Sequence, residues 1–466
     1  MDKFVLRGGV MSDTIASIAT PAGEGGISVI RISGPQSLSI ASSLFHSSAD
    51  LEHCVAQKVY FGRMVDPQSK ASVDEVLLTY FKAPKSYTAE DVIEISMHGG
   101  LFVTAKILQL ILDQGARLAE PGEFTRRAFL NGKIDLSQAE AVKDVIHASS
   151  ERALQSAVSH LQGQLSKKLN AWYDGLLAVL AQLEASIDFS EEGLRFQKRE
   201  ETLADVRRIQ TELIALIQTF RQGKIYREGA QVALMGKPNV GKSSLLNALL
   251  KEDRAIVTAL PGTTRDTLEE RLRIRDIHVN FIDAAGIREN PEIIEKEGIT
   301  RARQALKRAD LALVIFDGSE PLDANDDLLM QEVLEKPKLL LFNKSDLPQR
   351  LDEAGLRSRF PDEEPLKISA KTEAGISELC DAIYGFVIGD GSLQENLVIT
   401  RERHRQNLVA ANGALQKSCE SFEQNLSEEF IAVDISFAMD RIASILGKTF
   451  EDDLLDQIFG EFCIGK

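Results

Sequence analysis

Residues 236–244 read Gly236-Lys237-Pro238-Asn239-Val240-Gly241-Lys242-Ser243-Ser244, between the apolar run QVALM and the helical stretch LLNALL. A glycine-rich turn leading from a strand into a helix aims several backbone N–H groups, and the positive end of the helix dipole, at one spot. That spot suits phosphates. Lys242 would reach the β- and γ-phosphates as a point charge, and the Ser243 hydroxyl would ligate Mg²⁺. Around the loop, QVALMG, HVNFIDAAG, LALVIFDGS, KLLLFNKSD and PLKISAK are short apolar runs separated by helix-length segments. This is the texture of parallel strands buried on both faces.

Further loops name the nucleotide and its metal. Asn343-Lys344-Ser345-Asp346 comes after the strand KLLLF. A carboxylate at Asp346 can accept from guanine N1–H and the 2-amino group, a donor pair that adenine lacks. Ser369-Ala370-Lys371 gives the second wall of a base pocket. Asp283-Ala284-Ala285-Gly286 follows HVNFI, with Asp283 beside the Mg²⁺ water shell and Gly286 beside the γ-phosphate. Thr263-Thr264-Arg265-Asp266 offers a switch threonine, Thr264, as second protein ligand to Mg²⁺. Together these four elements point to a Ras-like GTPase domain. One position departs from that plan: Ile287 stands where a water-orienting glutamine is expected, and an alkyl chain cannot orient water. Glu289, Glu292, Glu295 and Glu297 follow closely, and position alone does not choose among them.

The remaining chain is organised by its prolines. None occurs between Pro121 and Pro238, and none after Pro365. Proline inside a helix costs about 3 kcal/mol, so these Ala/Leu/Gln/Glu-rich stretches read as helix. Apolar residues from Val142 through Leu154, Leu165, Leu169, Trp172 and Leu176 to Leu183 recur at three- and four-residue steps, with Asp135 and Ser137 as caps at the start. Leu408, Leu415, Phe422, Phe430, Ile431, Ile435, Ile442 and Ile445 repeat the pattern near the end, so the two stretches are expected to pack together. Before Pro121, the strands GGISVIRIS, VLLTYF and DVIEIS alternate with glycine-rich turns and one helix near Leu101–Gln114. The expected architecture is multidomain α+β: an N-terminal α+β domain over 1–130 (1–10 an extension), a discontinuous helical domain over 131–227 and 387–466, and an inserted α/β domain over 228–386.

The 466 residues, 44% hydrophobic and 27% charged, have the balance of an ordinary globular protein. A net charge of −16 speaks against coating nucleic acid through bulk charge, though not against a local basic patch such as Arg126-Arg127 or RERHR at Arg401–Arg405. Scattered Cys54, Cys380, Cys419 and Cys463 form no zinc or disulfide pattern. The N-terminal stretch lacks a signal-peptide core and no run of about 18 apolar residues is present, so a cytoplasmic protein without a membrane span is expected. The last six residues, EFCIGK, pose a separate question. Phe462 and Ile464 could anchor the last helix around Cys463 as a small buried hydrophobe.

With GKPNVGKSS, PGTTRD, DAAG and NKSD inside a helical domain and CIGK at the end, the chain resembles the MnmE family. These are bacterial and organellar GTPases that help modify the tRNA wobble uridine. The likeness runs from Met11 and includes TPAGEGGISVIRISG, SYTAEDVIEISMHGG and PGEFTRRAFLNGKIDLSQAEAV. It implies that the N-terminal domain is similar to tetrahydrofolate-binding domains and forms a homodimer. It also implies a heterotetrameric complex with MnmG, an FAD protein, and a one-carbon unit drawn from a tetrahydrofolate derivative.

Residue by residue, the resemblance puts Arg31, Glu94, Lys133 and Lys466 at the folate, and Glu295 at the attacking water. K⁺ would be held by Asn239 with Thr258, Leu260 and Thr263. The GTP set would comprise Asn239, Val240, Gly241, Lys242, Ser243 and Ser244; Thr258, Ala259, Leu260, Pro261, Gly262, Thr263 and Thr264; Asp283, Ala284, Ala285 and Gly286; and Asn343, Lys344, Asp346, Ser369, Ala370 and Lys371. Lys242 and Thr264 join Glu295 as catalytic groups. Ala284 replaces the family's usual threonine at a position that ligates nothing. The resemblance also brings Cys463 close to the one-carbon unit, where a thiolate would serve as nucleophile for tRNA modification; a seal made by its neighbours is the competing role. Two other functions stay open from the residues: a ribosome-associated assembly GTPase acting as a switch, and a one-carbon transferase with a regulatory GTPase.

Overall fold

The computed structural model describes residues 13–47, 54–188, 199–252, 270–282, 303–361, 363–388, 397–450 and 452–466. The chain divides into two compact units, one of residues 1–143, 160–206 and 413–466, the other of residues 144–159 and 207–412.

The first unit carries a seven-stranded sheet in the order β3-β4-β5-β6-β2-β1-β7. Its strands are β1 (Ile15–Ile18), β2 (Gly25–Ser33), β3 (Phe45–His46), β4 (Val59–Val65), β5 (Ser72–Phe81), β6 (Val92–Gly99) and β7 (Arg117–Leu118). All neighbours are antiparallel except β1 and β7. β2, β5 and β6 were legible as strands; β1, β3 and β7 were not, being short, and β4 was not, because apolar Val59 and Phe61 at its exposed positions hide the alternation.

Side chains alternate across this sheet with period two. Ile30 and Ile32 of β2, Leu78 of β5, and Ile93 and Ile95 of β6 lie in one core with Ile40 and Leu44 of the helix Ser37–Leu44 and Ile107 and Ile111 of the helix Leu101–Asp113. Full burial of each such side chain contributes about 1.5–3 kcal/mol. The intervening residues point the other way. Val59, Thr79, Glu94 and Arg31 are in register across four strands, and Phe61 pairs with Leu77 on the same face. Val59, Phe61 and Leu77 are exposed there.

Both expected helical stretches contribute to this unit. Helix Leu136–His147 begins on a reciprocal cap: the Gln138 N–H donates to Asp135 Oδ1, and the Asp135 N–H to Gln138 Oε1, each at 3.0 Å. Helix Gln164–Asp188 packs on helix Glu428–Leu446, as the two amphipathic stripes require. Buried Leu165, Leu169, Trp172 and Leu176 line the first, and Ile431, Ile435 and Ile442 the second. Three stripe members depart from expectation: Phe430 here, and Ile146 and Leu154 in the part of the first stretch that belongs to the second unit, are exposed, because each stripe covers only part of its helix.

The second unit holds a six-stranded sheet in the order β13-β12-β11-β8-β10-β9. The strands are β8 (Ala230–Met235), β9 (Glu270–Ile274), β10 (Ile277–Ile282), β11 (Leu311–Asp317), β12 (Lys338–Asn343) and β13 (Leu366–Lys367). The five strands expected to be parallel are so; β9, unforeseen, adds an antiparallel edge. Every residue of β11 is buried, with Leu313 and Ile315 in one core and Val314 and Phe316 in the other. A strand covered on both faces therefore reads as an uninterrupted apolar run.

Candidate functional site

In the second unit the loops after β8, β12 and β13 lie at the carboxyl edge of the sheet, where open α/β sheets bind ligands. The loop 236–241 leads from β8 into helix Lys242–Glu252. Asn239 has φ +64° and Gly241 φ +100°, so the turn needs left-handed backbone twice. A Cβ on Gly241 would lie 2.2 Å from Asn343 Nδ2, which reserves that position for glycine. Lys242 folds its ammonium back over the turn, donating to the Gly236 and Lys237 carbonyls at 2.7 and 2.6 Å. Burial pushes its pKa down to about 8. Ser243 and Ser244 open the helix, and Val240 is buried beneath the loop.

Asn343 is the keystone of this edge. It is buried; its Nδ2 donates to the Val240 carbonyl at 2.7 Å, and its Oδ1 accepts from the Ala370 N–H at 3.0 Å. One side chain thus ties the phosphate loop to the Ser369-Ala370 loop. Asp346 is exposed and is aimed by the Ser369 hydroxyl, which donates to Oδ1 at 2.7 Å. Lys344, at φ +64°, pairs with Asp317 at 2.5 Å. Burial alone would raise the Asp317 carboxyl; Lys344 and the Ser319 hydroxyl outweigh it and hold it below the usual carboxylate range. Asp317 was missed in the sequence because its role depends on adjacency of β11 and β12. Lys371 is exposed. The expectations on Thr258 to Thr264, on Asp283, Ala284, Ala285 and Gly286, and on Glu295 fall outside the described residues.

A second cluster lies in the first unit. Arg31 and Glu94 face each other across β2 and β6, with Glu94 Oε1 accepting from Arg31 Nε at 2.9 Å and Nη2 at 2.8 Å. Arg31 Nη1 donates to the Gly465 carbonyl at 3.4 Å, and the Phe124 N–H to the Lys466 main-chain oxygen at 3.2 Å. The Lys466 ammonium is pushed down by burial and by the positive Arg31, with Glu94 opposing. The structure thus brings Arg31, Glu94 and Lys466 together. Lys133 Nζ, nearby in sequence to this group's Phe124, donates to the Ser86 carbonyl.

The tail corrects one expectation. Phe462 is buried among Phe129, Leu455 and Phe459, but Cys463 and Ile464 are exposed. Cys463 is therefore no buried packing residue: an irregular tail has no alternation that would bury both flanks. Gly465 has φ +95° and its Cβ would fall 2.2 Å from the Ile18 carbonyl, so that tail position admits only glycine.

Neither basic run is an open patch. Arg127 is fully buried, paired with Asp13 and Glu123 at 2.9 Å and Glu90 at 3.3 Å; Arg126 pairs with Asp456 at 2.9 Å. Arg401 pairs with Asp144 at 2.6 Å, and Arg405 with Glu402 at 2.9 Å. These cations satisfy the protein's own carboxylates.

A parallel sheet with a lysine-bearing phosphate loop at its carboxyl edge, braced to an Asn-Lys-x-Asp base loop, defines a P-loop GTPase, an enzyme that hydrolyses GTP. Family models described as "MnmE helical domain" and "GTP-binding protein TrmE N-terminus" match residues 136–463 and 14–133. Proteins named tRNA modification GTPase MnmE are similar over nearly the full chain. That of Thermoanaerobacter pseudethanolicus is 43% identical over 457 residues, 97% of this chain and 99% of its own. That of Syntrophus aciditrophicus is 45% identical over 458 residues, 98% of this chain and 100% of its own. That of Lactiplantibacillus plantarum is 43% identical over 460 residues, 97% and 98%. The chain belongs to the MnmE family. No helix among the described residues is long and apolar enough to cross a membrane.

Proposed function

We propose that this chain is a K⁺-stimulated GTPase of the cytoplasm that, with an MnmG-type FAD protein, modifies tRNA. The product would carry an aminomethyl or carboxymethylaminomethyl group on C5 of the wobble uridine, with the carbon taken from methylene-tetrahydrofolate. The observation that carries this reading beyond a bare GTPase is the Arg31–Glu94–Lys466 cluster, a carboxylate among cations on the sheet face opposite the Ile30–Ile32 core. Such a set fits a folate: Glu94 would accept from pterin N–H donors, while Arg31, Lys133 and Lys466 would face the anionic glutamate tail. The folate would supply the one-carbon unit; Cys463, exposed beside this cluster, is available to it as a thiol.

At the nucleotide, Ser243 and Thr264 would hold Mg²⁺, and Asn239, Thr258, Leu260 and Thr263 would hold K⁺, offsetting charge that builds on the phosphates. The left-handed turn at Asn239 leaves its side chain exposed beside the loop, which suits a cation ligand. Glu295 would orient the attacking water in place of the missing glutamine. The division into 1–130, 131–227, 228–386 and 387–466 is kept as the functional one, with 1–130 the folate-binding and dimerisation domain. Exposed Val59, Phe61 and Leu77 on one sheet face support a homodimer there. Mass analysis of wobble uridines in a deletion strain tests the reading: loss of the C5 group, restored by the gene, is expected. A wobble-uridine composition in the deletion strain that matches wild type sinks it. Equal GTP turnover in K⁺ and Na⁺ removes the cation site.

A further inference from the structure

Arg31 is more tightly held than a ligand-facing arginine on an open strand requires. Its side chain is only 13% exposed. Glu94 grips one edge of the guanidinium through Nε and Nη2, while the other edge reaches the Gly465 carbonyl. Two aromatic rings hold it as well: the guanidinium carbon lies over the Tyr87 ring, 4.8 Å from its centre, and over that of Phe124 at 5.6 Å. Tyr87 is itself anchored, its hydroxyl 2.8 Å from Thr125 Oγ1, and Thr125 is fully buried. Phe124 contributes twice, since its N–H also holds the Lys466 main-chain oxygen.

We propose that Tyr87 is a positioning residue: its ring fixes the plane of the Arg31 guanidinium, and the arginine so fixed docks the 463–466 tail against the sheet. The geometry supplies the reason. A guanidinium is flat and carries five N–H donors in a rigid fork. With Glu94 on one edge it can still swing about its long stem, and only one plane lets Nη1 reach Gly465. A ring face attracts the cation and selects that plane. The selection matters because Lys466 brings a second positive charge toward Arg31, which by itself drives the tail away. Of the five donors, Glu94 takes two and Gly465 one, leaving two for an oxygen of an incoming ligand. Ligand binding and tail docking therefore share one arginine, and each must strengthen the other by the same factor. This second consequence rests on the folate reading above; the docking itself does not.

Hydrogen exchange read by mass spectrometry on the full chain tests the docking. Tyr87→Leu removes the ring face and is expected to speed exchange of the Phe124 and Lys466 amides about tenfold, from the size of a partly desolvated cation–π contact. Tyr87→Phe keeps the face, loses only the hydroxyl, and should stay within about twofold of wild type. Exchange across β2, Val29 to Ile32, reports whether the sheet is intact. Wild-type tail exchange in Tyr87→Leu overturns the proposal, as does equal loosening in Tyr87→Phe, which would assign the effect to the Thr125 bond. Should Tyr87→Leu fail to fold, Arg31→Lys with Tyr87 intact is expected to release the tail equally, because an ammonium cannot span Glu94 and Gly465; a docked tail in that variant overturns the proposal. Titration with 5-formyltetrahydrofolate gives the other arm: affinity about tenfold weaker in Tyr87→Leu, near normal in Tyr87→Phe, with GTP hydrolysis unchanged in both. If wild type binds no folate while the exchange pattern holds, the folate reading fails and the docking stands.

Discussion

Lys242 makes the phosphate loop testable through protons. Burial lowers its pKa from an ordinary 10.5 to about 8. A folded value below the unfolded one means that, between those two pH values, the unfolded chain binds more protons. Stability should therefore rise with pH across that window, and the full cost of holding the ammonium charged is felt below pH 8. The span corresponds to roughly 3 kcal/mol. Placing a di- or triphosphate beside the ammonium reverses the effect, because a nearby anion favours the charged form. Nucleotide binding must then take up protons: about half a proton per site at pH 8, about nine-tenths at pH 9, and almost none at pH 6.5. Calorimetric titration of Mg-GDP in two buffers of different ionisation heat measures this number directly. Lys242→Met should abolish the uptake at pH 8 and cut it severalfold at pH 9, where guanine N1 also titrates, while weakening binding. Uptake near zero at pH 9, or equal uptake in Lys242→Met, refutes the reasoning, since no other described group of the loop is placed to titrate there.

Other perturbations follow from the same contacts. Asn343→Ala strands the buried Val240 carbonyl and Ala370 N–H, so a loss of about 2–4 kcal/mol in unfolding free energy and weaker GTP binding are expected, read by denaturant melts and by titration. Asp346→Asn should weaken GTP and relax discrimination against xanthosine triphosphate in competition binding, because one acceptor becomes a donor. Gly465→Ala puts a Cβ against the Ile18 carbonyl and should loosen the tail and weaken formyl-folate binding, leaving GTP turnover intact in a steady-state assay. Arg127→Leu leaves Asp13 and Glu123 with Arg117 as their remaining cation and strips Glu90 of its own, and about 3 kcal/mol should be lost in thermal or chemical unfolding.

Much of this protein is legible from short-range chemistry. A phosphate loop is a local object: Gly241, Lys242 and Ser243 act through adjacent backbone, so their spacing alone announces the strand, the turn and the helix. β11 is recognisable because it is buried on both faces, and the helices 164–188 and 428–446 because apolar residues recur at their own period. What the sequence could not give is whatever joins positions far apart in the chain. Asn343 reads as a base-loop residue, yet its buried amide braces Val240 and Ala370, some 103 and 27 positions away. Arg127 and Arg401 read as basic patches until the fold closes carboxylates around them. Tyr87 is one aromatic among many until β2 sets Arg31 over its ring and the tail arrives beside it. Propensity and period act within a few residues, whereas a cation's partners are chosen by packing, which pays no heed to distance along the chain.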